Sequence, residues 1–200
     1  MLRQLREFNE ALILALVIFL VLQFSIQNFK VEGSSMATTI EPGQYVAVNK
    51  LHKFKVDMAR LSALIPFWDA SHLGEVYVFQ RNGPQRGDIV VFNYPLDPKR
   101  TFIKRIIGLP GEQVSIIRGV THINGERLNE PYLTARSQRE TLEFNALGTD
   151  EYFVMGDNRT HSNDSRHWKG HFAVHRDHII GTQLISYDLP IDLGFANSAD

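Results

Sequence analysis

Ser35 and Lys104 are the residues of this chain whose types and settings could do covalent chemistry. Ser35 closes a Gly33-Ser34-Ser35 run ahead of a Pro42-Gly43 turn and the strand-like stretch QYVAVNK. Such a loop can present a hydroxyl beside exposed backbone N–H groups. A serine hydroxyl is a weak nucleophile until a base takes its proton, so a second residue is needed. Lys104 sits in FIKRII, which on a strand places Phe102, Lys104 and Ile106 on one face and Ile103, Arg105 and Ile107 on the other. A lysine between two apolar neighbours loses hydration, and that disfavours the ammonium. To serve as a base near neutrality its pKa must fall from about 10.4 to about 7, a change worth roughly 4 kcal/mol, which one apolar pocket can supply. Taken singly, Gly-Ser-Ser also reads as an ordinary loop, and Lys104 as an edge-strand residue whose head reaches water.

A third segment, GDNRTHSNDSR, gathers Asp157, Asn158, Arg159, Ser162, Asp164, Ser165 and Arg166 within ten residues after the strand-like EYFVM. Loops this dense in short polar side chains commonly satisfy their own backbone through Asx and Ser turns. They also suit a site in which one hydroxyl orients an amine and carboxylate–guanidinium pairs keep the loop rigid. His161, His167, His171, His175 and His178 offer two further chemistries, a metal cluster or a histidine base beside Ser162. Gly170 interrupts the near-helical spacing and no carboxylate pattern accompanies it, so zinc is disfavoured.

These residues must be positioned by strands. From Lys30 onward, short alternating runs separated by Gly, Pro, Asn and Asp predict a mostly β protein with antiparallel sheets. Asn124-Gly125 predicts a two-residue hairpin turn inside a small β-lobe spanning residues 114–149. Residues 57–74, interrupted by Pro66, read as a core-packed insertion; the sharper alternative dips Phe67 and Trp68 into a membrane interface. Residues 191–200 lack periodicity and read as a loose tail.

Ahead of the strands stands ALILALVIFLVLQFSI, an uncharged run at the short edge of what spans a bilayer, usually about 17–25 residues. It predicts one N-terminal transmembrane helix over residues 11–28, after a cytoplasmic segment 1–10. A cleaved signal peptide fits less well, because the only small pair after the run, Gly33 and Ser35, comes late. A buried core helix is the other alternative. Arg3 and Arg6 precede the run and only Lys30 closely follows, which places the N-terminus inside and residues 30–190 outside. With 21 basic and 22 acidic residues the chain has no field to attract nucleic acid, and with no cysteine it has neither disulfides nor thiolate metal sites.

GSSMATTI, FIKRIIGLPGE and GDNRTHSNDSR, in that order behind an N-terminal anchor, resemble the signatures of the bacterial type I signal peptidases, which are Ser-Lys proteases. The similarity runs from about Val31 to Gly181, weakening between Lys55 and Pro84 and again in the small lobe. It implies a membrane-anchored endopeptidase of the plasma membrane with Ser35 as nucleophile and Lys104 as general base. By the same resemblance Ser162 bonds the lysine amine, Asp164 pairs with Arg166, Asp157 pairs with Arg105, and Met36 and Phe102 line the substrate cleft. Preproteins would bind as an extended strand and be cut after small residues at −3 and −1, with no metal or organic cofactor. Two positions depart from the family: Thr38 stands where proline is frequent, and Gly33 where some members have a serine oxyanion donor. A self-cleaving repressor-type Ser-Lys protease and an inactive anchored β-module that binds exported chains are the remaining alternatives.

Overall fold

The computed structural model describes residues 25–50, 55–57, 75–77, 83–134, 140–168, 170–188 and 197–199, together with residues 8, 9, 11–13, 15, 16 and 19. In chain order its strands are β1 (Ile26–Val31), β2 (Tyr45–Asn49), β3 (Lys55–Asp57), β4 (Glu75–Tyr77), β5 (Ile89–Tyr94), β6 (Asp97–Gly108) and β7 (Val114–Ile117). They continue with β8 (Val120–Ile123), β9 (Glu126–Arg127), β10 (Leu142–Glu143), β11 (Glu151–Met155), β12 (Val174–His175), β13 (Ile179–Tyr187) and β14 (Asn197–Ala199). The protein is mostly β, as its alternating runs predict. Eight strands form the main sheet in the order β12-β11-β6-β5-β13-β2-β1-β14, four form a second sheet, β10-β7-β8-β9, and β3 pairs with β4. Every described pairing is antiparallel except that of β1 with β14.

β6 organises the molecule because both of its faces are covered. Phe102 and Ile106 pack with Val90, Phe92, Val154 and Trp168 on one side. Ile103, pointing the other way, joins Phe29, Val31, Met36, Val46 and Val91. Ile107 reaches a third cluster with Val114, Ile116 and Phe153, where the second sheet meets the first. A strand buried on both sides cannot slip by one residue without exchanging its two faces, so this packing fixes the register that orients Lys104.

The second sheet turns at Asn124 and Gly125, whose φ angles of 51° and 84° are both positive. A two-residue hairpin needs both, and Asn-Gly tolerates both. Charged side chains fasten this sheet's loops to the segment after β11 and to β6. Arg159 reaches Glu130 with both terminal nitrogens, and this pair has side-chain exposures of only 3% and 1%. Arg166 bonds Glu140 at 2.8 Å, and the Arg105 guanidinium lies 4.1 Å from the Tyr132 ring centroid.

Three expectations change. Residues 26–28, assigned by sequence to the anchor, belong to β1, whose hydrogen bonds to β2 hold Ile26 opposite Asn49. No helix among the described residues is long and apolar enough to cross a membrane, and much of the expected span lies outside them. The expected loose tail contains β14, because Ala199 finds an apolar site and unpaired strand edge at β1. Of the insertion only Asp57, at the end of β3, is described; residues 58–74 with the Phe67-Trp68 pair lie outside the described residues.

Candidate active site

Ser35 follows directly from β1 through Glu32 and Gly33, at the start of a single helical turn. That turn closes without proline at position 38: Met36 carbonyl oxygen accepts from the Thr39 and Ile40 N–H groups at 2.8 and 2.7 Å. Lys104 comes from the middle of β6, opposite Val90 of β5. The two residues are 69 apart in sequence, yet Lys104 Nζ donates to Ser35 Oγ at 2.7 Å and to the Ile103 carbonyl at 2.9 Å. Both are buried, Ser35 at 7% and Lys104 at 2% exposure. A cleft of about 150 Å³ opens over them, lined by Gly33, Ser34, Arg100, Phe102, His161 and Asn163.

The segment after β11 clamps the nucleophile from behind. Asn158 N–H donates to the Ser35 carbonyl at 2.9 Å, and Asn158 Nδ2 donates to the Ser34 carbonyl at 3.0 Å. Gly156 makes this approach possible, since a Cβ there would lie 2.5 Å from the Ser35 carbonyl oxygen and against Ser162 Oγ. Asp157 receives Arg105 through two bonds of 2.8 and 2.6 Å and takes a third from Thr39 Oγ1 at 2.5 Å. The strand carrying the lysine and the turn carrying the serine therefore share one carboxylate.

Asp164 is held by Arg166 through bonds of 2.8 and 2.9 Å and by Gly156 N–H at 2.9 Å. Burial alone would raise its pKa, but the Arg166 bonds and charge outweigh that and hold the carboxyl below its ordinary value. Arg105 shows the mirror case: burial disfavours its charge, yet the Asp157 bond and charge raise its pKa above the ordinary value. Both bidentate pairs implied by the family resemblance are thus formed.

One expectation differs in detail. Ser162 Oγ is buried but makes no hydrogen bond, so the bond to the lysine amine is not formed. The hydroxyl favours the Asp164 carboxylate without reaching hydrogen-bond geometry. Met36 is fully buried in the core cluster of β1 and β2 that also encloses Ala199, and Phe102 lines the cleft over Ser35 and Lys104. His161 Nδ1 meets Thr160 Oγ1 at 2.9 Å, so the alternative pairing with Ser162 is not made.

Asn158, Arg159, Glu130 and Thr39 carry positioning roles that sequence reasoning missed. The first two were visible only as members of a polar loop, and Glu130 lies in the small lobe with no motif around it. Arg100, also missed, stacks its guanidinium over Phe102 at 5.0 Å and Tyr94 at 5.9 Å beside the cleft.

A serine and a lysine in hydrogen-bond contact, buried, braced by ion pairs and open to a cleft can perform acyl transfer. Comparison with known proteins bears on which kind. Residues 5–187 match the family model described as signal peptidase, peptidase S26. A signal peptidase I of Bacillus amyloliquefaciens is 33% identical over 186 residues, covering 88% of this chain and 81% of that protein. Signal peptidase I S of Bacillus subtilis is 32% identical over 191 residues, covering 90% and 87%. A signal peptidase I of Pseudomonas fluorescens is 31% identical over 191 residues, covering 81% and 62%.

Proposed function

Since the chain belongs to the signal peptidase, peptidase S26, family and is a peptidase that removes signal peptides, we propose that it does so with Ser35 as nucleophile and Lys104 as general base. The observation that carries this reading is the 2.7 Å contact between Lys104 Nζ and Ser35 Oγ in a buried setting. Lys104 Nζ takes the Oγ proton as Oγ attacks the scissile carbonyl carbon. The resulting oxyanion collapses, the C–N bond breaks, and the proton passes from Nζ to the leaving amine. Water then attacks the acyl carbon, giving a proton to Lys104 Nζ; the C–Oγ bond breaks, that proton passes from Nζ to Oγ, and the carboxyl product leaves with Ser35 regenerated. The Ser35 backbone N–H is the oxyanion donor in this scheme, with Gly33 contributing no hydroxyl.

The amine must be unprotonated to accept that proton, and two effects oppose each other. The Phe102 ring, 5.1 Å from Nζ, favours the cation by about 0.5–2 kcal/mol. Burial disfavours it, while the Ile103 carbonyl that Nζ reaches at 2.9 Å favours it as the ring does, so an unprotonated amine is part of the proposal. Asp157 with Arg105 and Asp164 with Arg166 act as positioning pairs.

The substrate is a preprotein bound as an extended strand and cut after small residues at −3 and −1, where main-chain bonds supply affinity and shallow pockets supply the size filter. Membrane anchoring through residues 11–25 is part of the proposal. The described residues there are helical and leave Leu12, Ile13, Leu16 and Phe19 between 54% and 61% exposed, an arrangement suited to lipid. Arg3 and Arg6 then keep the N-terminus in the cytoplasm and the catalytic domain outside the plasma membrane.

Detergent-solubilised wild type, Ser35→Ala and Lys104→Ala are assayed on a purified preprotein with the product N-terminus sequenced. Wild type cuts once after a small-x-small site, and each variant loses at least about a thousandfold in kcat, the scale seen when an activated serine loses its partner. Continued cutting by Lys104→Ala overturns the assignment of the base.

A further inference from the structure

The edge of β1 away from β2 is already occupied. β14 lies on it in parallel, with Phe29 opposite Asn197, Lys30 opposite Ser198 and Val31 opposite Ala199. Glu32 N–H donates to the Ala199 carbonyl at 3.0 Å. β14 also approaches β6, the strand that carries Lys104. Ala199 is 2% exposed, its methyl group enclosed with Phe29, Val31, Met36, Val46, Val91 and Ile103, whereas Ser198 is exposed.

Direction decides what this pairing means. A parallel neighbour runs the same way as β1, and β1 runs through Glu32 into Gly33 and Ser35. Any chain laid on this edge therefore heads toward the nucleophile. Side chains two residues apart on a strand share a face. Continuing the register puts the residue two beyond the place of Ala199 opposite Gly33, at the mouth of the cleft and on the face that Ala199 presents to its pocket. The alternation matches a requirement for small side chains at −3 and −1.

We propose that Asn197–Ala199 is an internal occupant of the substrate groove, with Ala199 in the place of the −3 residue, and that it must leave before a preprotein binds. This rests on the reading of the substrate as an added strand. Two chains cannot use the same β1 hydrogen-bonding edge, so tail and substrate exclude each other. Being tethered, the tail competes at high effective concentration without needing strong contacts. It raises KM by the reciprocal of the unoccupied fraction and leaves kcat alone.

The test uses the full chain in detergent. Ala199→Arg places a long cation where the pocket holds one methyl group, while Ser198→Arg alters an exposed position of the same strand. With a small-x-small peptide substrate, Ala199→Arg lowers KM by at least about threefold at unchanged kcat, as expected if the tail fills about two-thirds of the molecules. Ser198→Arg matches wild type. A fluorescein-labelled peptide of residues 189–200, followed by anisotropy, binds Ala199→Arg more tightly than wild type and is displaced by the substrate peptide. Equal KM in Ala199→Arg and wild type, or equal labelled-peptide binding to both, overturns the proposal. So does joint loss of kcat and melting temperature in Ala199→Arg, which would make β14 an integral strand of the core. If no form cleaves while the labelled peptide still discriminates between the two proteins, the catalytic reading fails and the docked tail stands.

Discussion

At the residue scale the site depends on side chains that are charged, buried and paired. Asp164 has a depressed pKa, so its carboxylate contributes stability that is present above the ordinary value of about 3.9 and is lost as pH falls through its lower folded value. Asp164→Asn removes that contribution. Its melting temperature should lie below that of wild type at pH 7, and the gap should narrow below about pH 4 as the wild-type carboxyl protonates. Melts at pH 7, 5 and 3 check this, and a gap that stays constant across the series contradicts it. Ser162 is the opposite case, a buried hydroxyl without a hydrogen bond, which costs stability wherever it occurs.

At the element scale the close approach of three segments matters more than any single bond. β6 supplies Lys104, the turn after β1 supplies Ser35, and the segment after β11 holds the Ser34 and Ser35 carbonyls through Asn158. Gly156 is the point where the last two meet. In Gly156→Ala the new methyl group meets the Ser35 carbonyl oxygen at 2.5 Å, and that oxygen is fixed by Asn158. The nucleophile's turn must shift, and displacement of a reacting group by about 1 Å can cost about a hundredfold in rate. Steady-state kinetics should show the loss in kcat; a kcat within twofold of wild type would mean that the loop yields instead.

At the scale of the whole molecule, the second sheet is coupled to the site through buried ion pairs. Glu130→Ala leaves Arg159 buried without its partner, which should destabilise the protein by about 3–5 kcal/mol in urea unfolding. Replacing both residues with apolar ones of similar size, Glu130→Leu with Arg159→Met, should recover most of the loss, because the desolvation cost disappears along with the pair. Failure of the double variant to recover would show that the pair's geometry itself is needed to hold the loop after β11. The sequence by itself determined the strand class, the hairpin at Asn124-Gly125 and the face of Lys104, because side-chain alternation and turn chemistry are local properties. It also marked Ser35 and Lys104, because each sits in a short contiguous motif, while the pairing of Asp157 with Arg105 and of Asp164 with Arg166 came from the family resemblance. Only the tertiary structure decided that Glu130 answers Arg159, that Asn158 grips the nucleophile's turn, and that Ala199 closes the edge of β1. Each joins segments remote in the chain, and such partners are selected by the burial and unpaired hydrogen-bonding groups that folding creates, which no local pattern encodes.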